Sequence, residues 1–212
     1  SPRSPGATRL FLQFLAGRAR QAEALYILGD LFETWIGDDD IDEPYHAEIV
    51  SALRAASDAG LKISVMHGNR DFLLGSGFTA ASGTLLLKDP YVLSTAEWQF
   101  VLSHGDALCL DDSAYMAFRA QVRSPEWQAT LLAKPLSERR AIAAHMREVS
   151  ESSQRGKDNP YTDLQAAATD DFLREHGYAT FIHGHTHQPA THDHIVDGIH
   201  VERWVMSDWH ED

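Results

Sequence analysis

Cysteine is nearly missing from this chain of 212 residues: Cys109 is the one thiol. No internal disulfide can form, and a reducing compartment is the expectation. Flanked by Leu108 and Leu110, Cys109 reads as a small core residue. Long apolar runs are missing too, since none approaches the roughly 18–20 residues that a membrane-spanning helix needs. Positive charge is scarce, with 18 Lys and Arg against 31 Asp and Glu and a net charge of −13. That balance argues against general nucleic-acid binding, which calls for a basic face. Internal repeats and low-complexity segments are also absent. The length suits one globular domain, residues 1–212, with a core of fair size and an insertion at about 111–176.

What the chain does have is a repeated punctuation. Four times an apolar run stops at a glycine beside a metal-capable side chain. Leu25-Tyr26-Ile27-Leu28 runs into Gly29-Asp30, and Ile63-Ser64-Val65-Met66 runs into His67-Gly68-Asn69-Arg70-Asp71. Phe100-Val101-Leu102 runs into Ser103-His104-Gly105-Asp106, and Phe181-Ile182 runs into His183-Gly184-His185-Thr186-His187. Short β-branched and aromatic runs predict buried strands. A glycine after each lets the backbone turn tightly and approach a ligand.

Helical patterns lie between these strands. Residues 10–20 and 47–59 are amphipathic, with Pro44 suited to a first helical turn and Gly60 to a stop. Residues 72–81 predict a short helix, and 85–87, 91–94 and 99–103 predict strands. Alternation of this kind implies βαβ units, an α/β class and a largely parallel sheet. From 111 to 176 the alternation stops. Helical stretches at 113–122, 127–132, 136–150 and 161–176 follow one another, punctuated by Pro125, Pro135 and Pro160. Residues 113–157 hold eight basic and four acidic residues, a positive surplus within an acidic chain. A cationic helical insertion suits a lid over an anionic substrate, or contact with an anionic membrane surface. Beyond it, 190–196 and 199–206 predict a hairpin around Asp197-Gly198.

The strand-end residues make a mixed oxygen and nitrogen ligand set. A dinuclear hydrolytic site needs an anionic bridge between two dications and open positions for water and substrate. Asp30 is the candidate bridge, Asn69 a neutral oxygen donor, and His104, His185 and His187 the imidazole donors. Such ligation without thiolate suits Mn, Zn or Fe. His67 and His183 flank the turns and read as structural, while His192, His194, His200 and His210 receive no role.

The order of these motifs resembles the calcineurin-like metallophosphoesterases, and within them the UDP-2,3-diacylglucosamine hydrolases of lipid A synthesis. The residues that carry the resemblance are Tyr26-Ile27-Leu28-Gly29-Asp30-Leu31-Phe32-Glu33 with Trp35-Ile36-Gly37-Asp38-Asp39-Asp40 after it. Also similar are His67-Gly68-Asn69-Arg70-Asp71-Phe72-Leu73-Leu74-Gly75, His104-Gly105-Asp106, Asp111-Asp112 followed by Tyr115 and Phe118-Arg119, and His183-Gly184-His185-Thr186-His187. The resemblance covers nearly the whole chain. It implies a four-layer α/β/β/α sandwich with a helical lid, two Mn²⁺ per complete site, and attack by a metal-activated hydroxide on the pyrophosphate of UDP-2,3-diacylglucosamine. The products would be UMP and 2,3-diacylglucosamine 1-phosphate. It further implies peripheral work at the cytoplasmic face of a bacterial inner membrane. By the same resemblance Asp30, Asn69, His104 and His185 form the catalytic metal set, and His187 serves the second metal. Arg70 meets a substrate phosphate, and Asp112, Ser150, Gln154 and Lys157 take the glucosamine and phosphate of the lipid. Trp127, Leu131, Leu132, Leu136, Ile142 and Met146 are candidates to line an apolar shelter for two acyl chains.

Two departures from the family pattern set further expectations. The family opens with a strand ending in Asp-x-His, and residues 1–9 look like the loop after it. The family also continues through more strands where this chain stops after Trp209-His210. With Asp30 the one charged ligand present, the first metal is expected to bind weakly and the second better. Two other readings remain at this point: a metallophosphoesterase acting on another nucleotide or phosphoester, and an inactive truncated fragment that binds without turnover.

Overall fold

Each of the four apolar runs that end at glycine forms a strand. The computed structural model describes residues 5–154 and 163–209, with side chains for all of these except 150–154. The chain divides into two compact units, Ser1–Lys88 with Asp208–Asp212, and Asp89–Ser207.

The first unit contains helix α1 (Pro5–Ala16), strand β1 (Ala24–Ile27), helix α2 (Pro44–Asp58), strand β2 (Lys62–Met66), helix α3 (Ser76–Ser82) and strand β3 (Leu85–Leu87). The strands form a parallel sheet in the order β1-β2-β3. Parallel strands covered by crossover helices are buried on their faces, hence the apolar run in β2. Pro44 opens α2, and the Glu43 carboxylate accepts the backbone N–H groups of Tyr45 and His46 at 3.0 and 3.1 Å. That contact satisfies donors a helix start otherwise leaves unpaired. Ile49, Val50 and Leu53 form the buried face of α2. Phe32, Trp35 and Phe78 pack in a cluster of tilted and edge-on rings, joined by His46.

Two helices of the first unit begin elsewhere than the sequence suggests. α1 starts at Pro5 instead of near residue 10, because a proline is well suited to a first turn and the helix buries Phe11 and Leu15. Phe11 and Phe14 pack on Trp209. α3 starts at Ser76 instead of Phe72. The Asp38 carboxylate takes the N–H groups of Gly75 and Gly77 at 3.0 and 2.7 Å, which fixes the helix start there.

The second unit contains strands β4 (Tyr91–Ser94) and β5 (Gln99–Ser103), helices α4 (Ser113–Val122), α5 (Pro125–Leu132), α6 (Leu136–Gln154) and α7 (Ala166–Glu175), and strands β6 (Thr180–His183), β7 (Ala190–Val196) and β8 (Ile199–Val205). Its sheet runs β4-β5-β6-β8-β7. The central pairings are parallel and the outer two antiparallel, so this sheet is mixed, not largely parallel. The predicted hairpin forms, with Asp197 and Gly198 both at positive φ, as a two-residue turn of this kind demands. Val101, Leu173, Phe181, Val196 and Val201 are its core, with Cys109 among them. α7 begins at Ala166, where Gln165 caps it through Ala168 N at 2.7 Å, so residues 163–165 are not helical. No helix among the described residues is long and apolar enough to cross a membrane.

Candidate metal centre

In the first unit the candidate ligand turns follow β1 and β2, which lie side by side in parallel. Their ends therefore emerge at the same sheet edge, where open α/β sheets bind ligands. Asp30 has φ 52°, left-handed backbone that is uncommon for any residue but glycine. Its Oδ1 accepts the N–H of Arg70 at 2.9 Å, and the Arg70 Nε lies 3.5 Å from Oδ2. Arg70 also pairs with Glu33 at 3.1 Å. Asn69, half-buried, sits between Gly68 and Arg70 on the second turn.

Beneath both turns lies Asp71, fully buried. Its carboxylate accepts the N–H groups of Asp30, Leu31, Phe32 and Gly68 at 3.2, 2.7, 3.4 and 2.8 Å. One anion thus ties the Asp30 turn to the Gly68 turn. Gly68 has a stricter reason: a Cβ there would meet Asp30 Oδ1 at 2.1 Å and Asp30 N at 2.2 Å. His67 donates through Nε2 to the Leu74 carbonyl at 2.8 Å, a structural contact as the sequence suggests.

In the second unit the same logic recurs. β5 and β6 pair in parallel with Ser103 opposite His183, so His104 and Gly184-His185 leave the sheet together. The Gly184 N–H donates to the His104 carbonyl at 3.2 Å. The His104 and His185 rings lie 5.0 Å apart between centroids. His185 and His187 have φ 64° and 53°. Among the described residues five that are not glycine have positive φ, and three of them are Asp30, His185 and His187. Backbone held in sparsely populated regions clusters at ligand sites. Thr186, between the two histidines, is 1% exposed and its Oγ1 has no hydrogen-bond partner among the described residues. A buried hydroxyl left so carries a real free-energy cost. Adjacent imidazoles, left-handed backbone at Asp30, His185 and His187 and an orphaned hydroxyl fit the demands of a divalent metal, for which nitrogen and oxygen donors are the right chemistry.

Asp106 anchors the His104 turn to α4. It is fully buried and accepts from Tyr115 Oη at 2.8 Å and from Arg119 Nε and Nη2 at 2.8 and 3.3 Å, with Arg123 at 3.7 Å. Burial alone would raise its carboxyl, but the charges of His104, Arg119 and Arg123 outweigh it and hold Asp106 at about 2. The Tyr115 ring lies 5.5 Å from that of His185. His183 is buried, and burial together with the charge of Arg203 pushes its imidazole down to about 4, so it is neutral near pH 7. Gly105, at φ 106°, makes room for that ring, since a Cβ there would meet His183 Nδ1 at 2.9 Å.

The remaining predicted residues fall as follows. Asp112 caps α4, its Oδ1 accepting the Tyr115 N–H at 2.9 Å. Ser150 and Gln154 lie on α6, and their side chains, like the whole of Lys157, lie outside the described residues. His194 and His200 of the β7–β8 hairpin pair with Asp170 of α7 at 3.1 Å and with Asp193 at 2.7 Å. Asp71, Arg203 and Asp163 were not among the candidates from sequence. For Asp71 a signal exists, a second acid three residues after a ligand-turn glycine; for the other two, nothing local marks them.

No protein-family model matches the chain. Individual proteins do. It is 46% identical over 208 residues to the UDP-2,3-diacylglucosamine hydrolase of Aromatoleum aromaticum, covering 98% of this chain and 84% of that one. It is 50% identical over 208 residues to the enzyme of that name from Chromobacterium violaceum, covering 98% and 85%. With that of Escherichia coli strain SMS-3-5 it shares 46% over 206 residues, covering 97% and 85%. Identity of this extent spans both units, and the chain belongs to the UDP-2,3-diacylglucosamine hydrolase family.

Proposed function

We propose that this chain hydrolyses the pyrophosphate bond of UDP-2,3-diacylglucosamine, releasing UMP and 2,3-diacylglucosamine 1-phosphate in lipid A synthesis. The observation that carries the reading is near-full-length identity with hydrolases of that name, supported by strand-end turns that carry Asp30, Asn69, His104, His185 and His187. Asp30, Asn69, His104, His185 and His187 are the residues of this chain that would hold Mn²⁺, of which a complete site takes two. Bound metal supplies Lewis-acid charge at the phosphoryl oxygens and a low-pKa water.

The chain's own residues supply orientation. Asp71 holds Asp30 and the Gly68 turn in register, and Asp106 holds α4 against the His104 turn. Arg70, kept near Asp30 and Glu33, has the fixed charge and forked donors that suit a phosphate oxygen. Asp112, Ser150, Gln154 and Lys157 are assigned to the glucosamine and its phosphate, along with Asn69 and His185 at the reacting group. The basic surplus of residues 113–157 suits an anionic substrate, and with a two-chain lipid it suits a peripheral place at the cytoplasmic face of the inner membrane.

The test is substrate preference. With Mn²⁺ present, turnover of the diacylated sugar nucleotide should exceed that of UDP-N-acetylglucosamine and of an aryl phosphate by about 100-fold or more, since acyl burial supplies about 0.8 kcal/mol per methylene. Equal rates on all three would sink the assignment of substrate.

A further inference from the structure

Arg203 on β8 is a cation with 4% of its surface exposed. A buried guanidinium must find acceptors for its donors. Nη1 and Nη2 each donate to one oxygen of Asp163 at 2.9 Å, a forked ion pair. Nη1 also lies 3.0 Å from His183 Nε2. Arginine has donors only, so Nε2 accepts and the ring proton sits on Nδ1. Nδ1 in turn lies 2.8 Å from the Gly184 carbonyl, to which it donates. Asp163, Arg203, His183 and Gly184 therefore form one directed chain of hydrogen bonds that ends on the residue before His185.

Both backbone groups of Gly184 are engaged. Its N–H donates to His104 O at 3.2 Å, and its carbonyl also accepts from Thr186 N at 2.7 Å. The Met206 N–H donates to the His183 carbonyl at 2.8 Å. The next residue, His185, stands at φ 64°. Such a conformation lasts only where its surroundings over-determine it. A buried ion pair is a poor way to gain stability, because apolar residues of the same volume do as well or better. What it does supply is direction: a charged donor aimed at Nε2 permits one tautomer and one ring orientation of His183.

We infer that Arg203, braced by Asp163, is a positioning residue that fixes His183 in its Nδ1–H form and so holds the Gly184-His185 turn in the shape that binds metal. The link to metal rests on the function proposed above and deepens it. Outer partners of this kind commonly alter metal affinity by about 10–100-fold when changed.

The experiment measures Mn²⁺ affinity of the intact chain by isothermal titration for wild type, Arg203→Met, Arg203→Lys and Asp163→Asn, with far-UV circular dichroism as the check on folding. Imidazole ¹⁵N spectra of His183 accompany each. Expected are Mn²⁺ affinity lowered about tenfold or more in Arg203→Met, a smaller loss in Asp163→Asn, and partial recovery in Arg203→Lys. The His183 spectrum should move from the Nδ1–H form to a mixture of tautomers, and saturating Mn²⁺ should restore most of kcat. Mn²⁺ affinity within twofold of wild type together with an unchanged His183 spectrum would overturn the inference, as would failure of the wild type to bind Mn²⁺. Should Arg203→Met not fold, Asp163→Asn decides by the same criteria, since Asp163 is partly exposed. Wild-type protein that binds Mn²⁺, responds to Arg203 and yet releases no UMP would refute the proposed substrate and support the positioning role.

Discussion

The carboxylate of Asp71 accepts the backbone N–H of Leu31 at 2.7 Å, across 40 residues of sequence. The same group takes the N–H donors of Asp30, Phe32 and Gly68, so the two candidate ligand turns share one buried acceptor. We predict that Asp71→Ala, which leaves these donors without it, costs about 2–4 kcal/mol of stability and most of the activity. Urea unfolding followed by circular dichroism reads the first. A change under about 0.5 kcal/mol, the range of neutral surface substitutions, would show that the shared acceptor is not needed.

Gly68 tests the same contact from the steric side. A methyl group there collides with backbone and side chain of Asp30, not with the flexible end of a long side chain. Gly68→Ala is predicted to shift the Asp30 carboxylate and lower kcat by about 100-fold, the order expected for a misplacement of about 1 Å, while the circular dichroism spectrum stays native. Wild-type kcat in this variant would mean that the turn relaxes without moving Asp30.

Asp106 ties the His104 turn to α4 through Tyr115 and Arg119. Removing one partner of a buried ion pair commonly costs about 3–5 kcal/mol, because the other charge is left behind. Arg119 is partly exposed and Arg123 remains near Asp106, so Arg119→Met is expected at the lower end of that range. Proteolysis should then cut first within 113–154. A cleavage pattern and unfolding midpoint like those of wild type would contradict this account of how α4 is held.

The sequence made some of this legible and not the rest. Strand-end turns could be read because a β-branched run followed by glycine and a polar ligand is local, and all four runs are strands ending at or within a residue of the predicted place. The metal-capable character of Asp30, Asn69, His104, His185 and His187 followed from side-chain chemistry alone. What escaped depends on partners distant in sequence. Arg203 lies 40 residues from Asp163 and 20 from His183, and nothing in its neighbours announces either contact. The start of α3 depends on Asp38, 37 residues earlier, which moved it away from Phe72. Parallel and antiparallel pairing in the second sheet likewise depends on which strands become neighbours, and periodicity does not report that.

Cys109 and Tyr45 predict a loss of stability in alkali. Burial pushes the Cys109 thiol up from 9.0 to about 12, with Asp106 and Asp163 adding to it, and burial pushes the Tyr45 hydroxyl up from 10.0 to about 12. In each the folded state keeps a proton that the unfolded state gives up. Stability is therefore unaffected below about pH 9 and falls as pH rises toward 12, by at most roughly 1.4 kcal/mol per pH unit for each group. At pH 8 the native thiol should be inert to a disulfide reagent that modifies the urea-unfolded chain fully. Prompt release of one equivalent from native protein would contradict the burial of Cys109.

The decisive measurement is Mn²⁺-dependent release of UMP from UDP-2,3-diacylglucosamine, made side by side for wild type, Asp30→Ala and His185→Ala. The account predicts turnover by the wild-type chain that rises with Mn²⁺ and is abolished by a chelator. It predicts a fall of about 1,000-fold or more in either variant, in line with a preorganised electrostatic contribution of several kcal/mol. Turnover that ignores chelator, or that survives loss of both side chains, would contradict it.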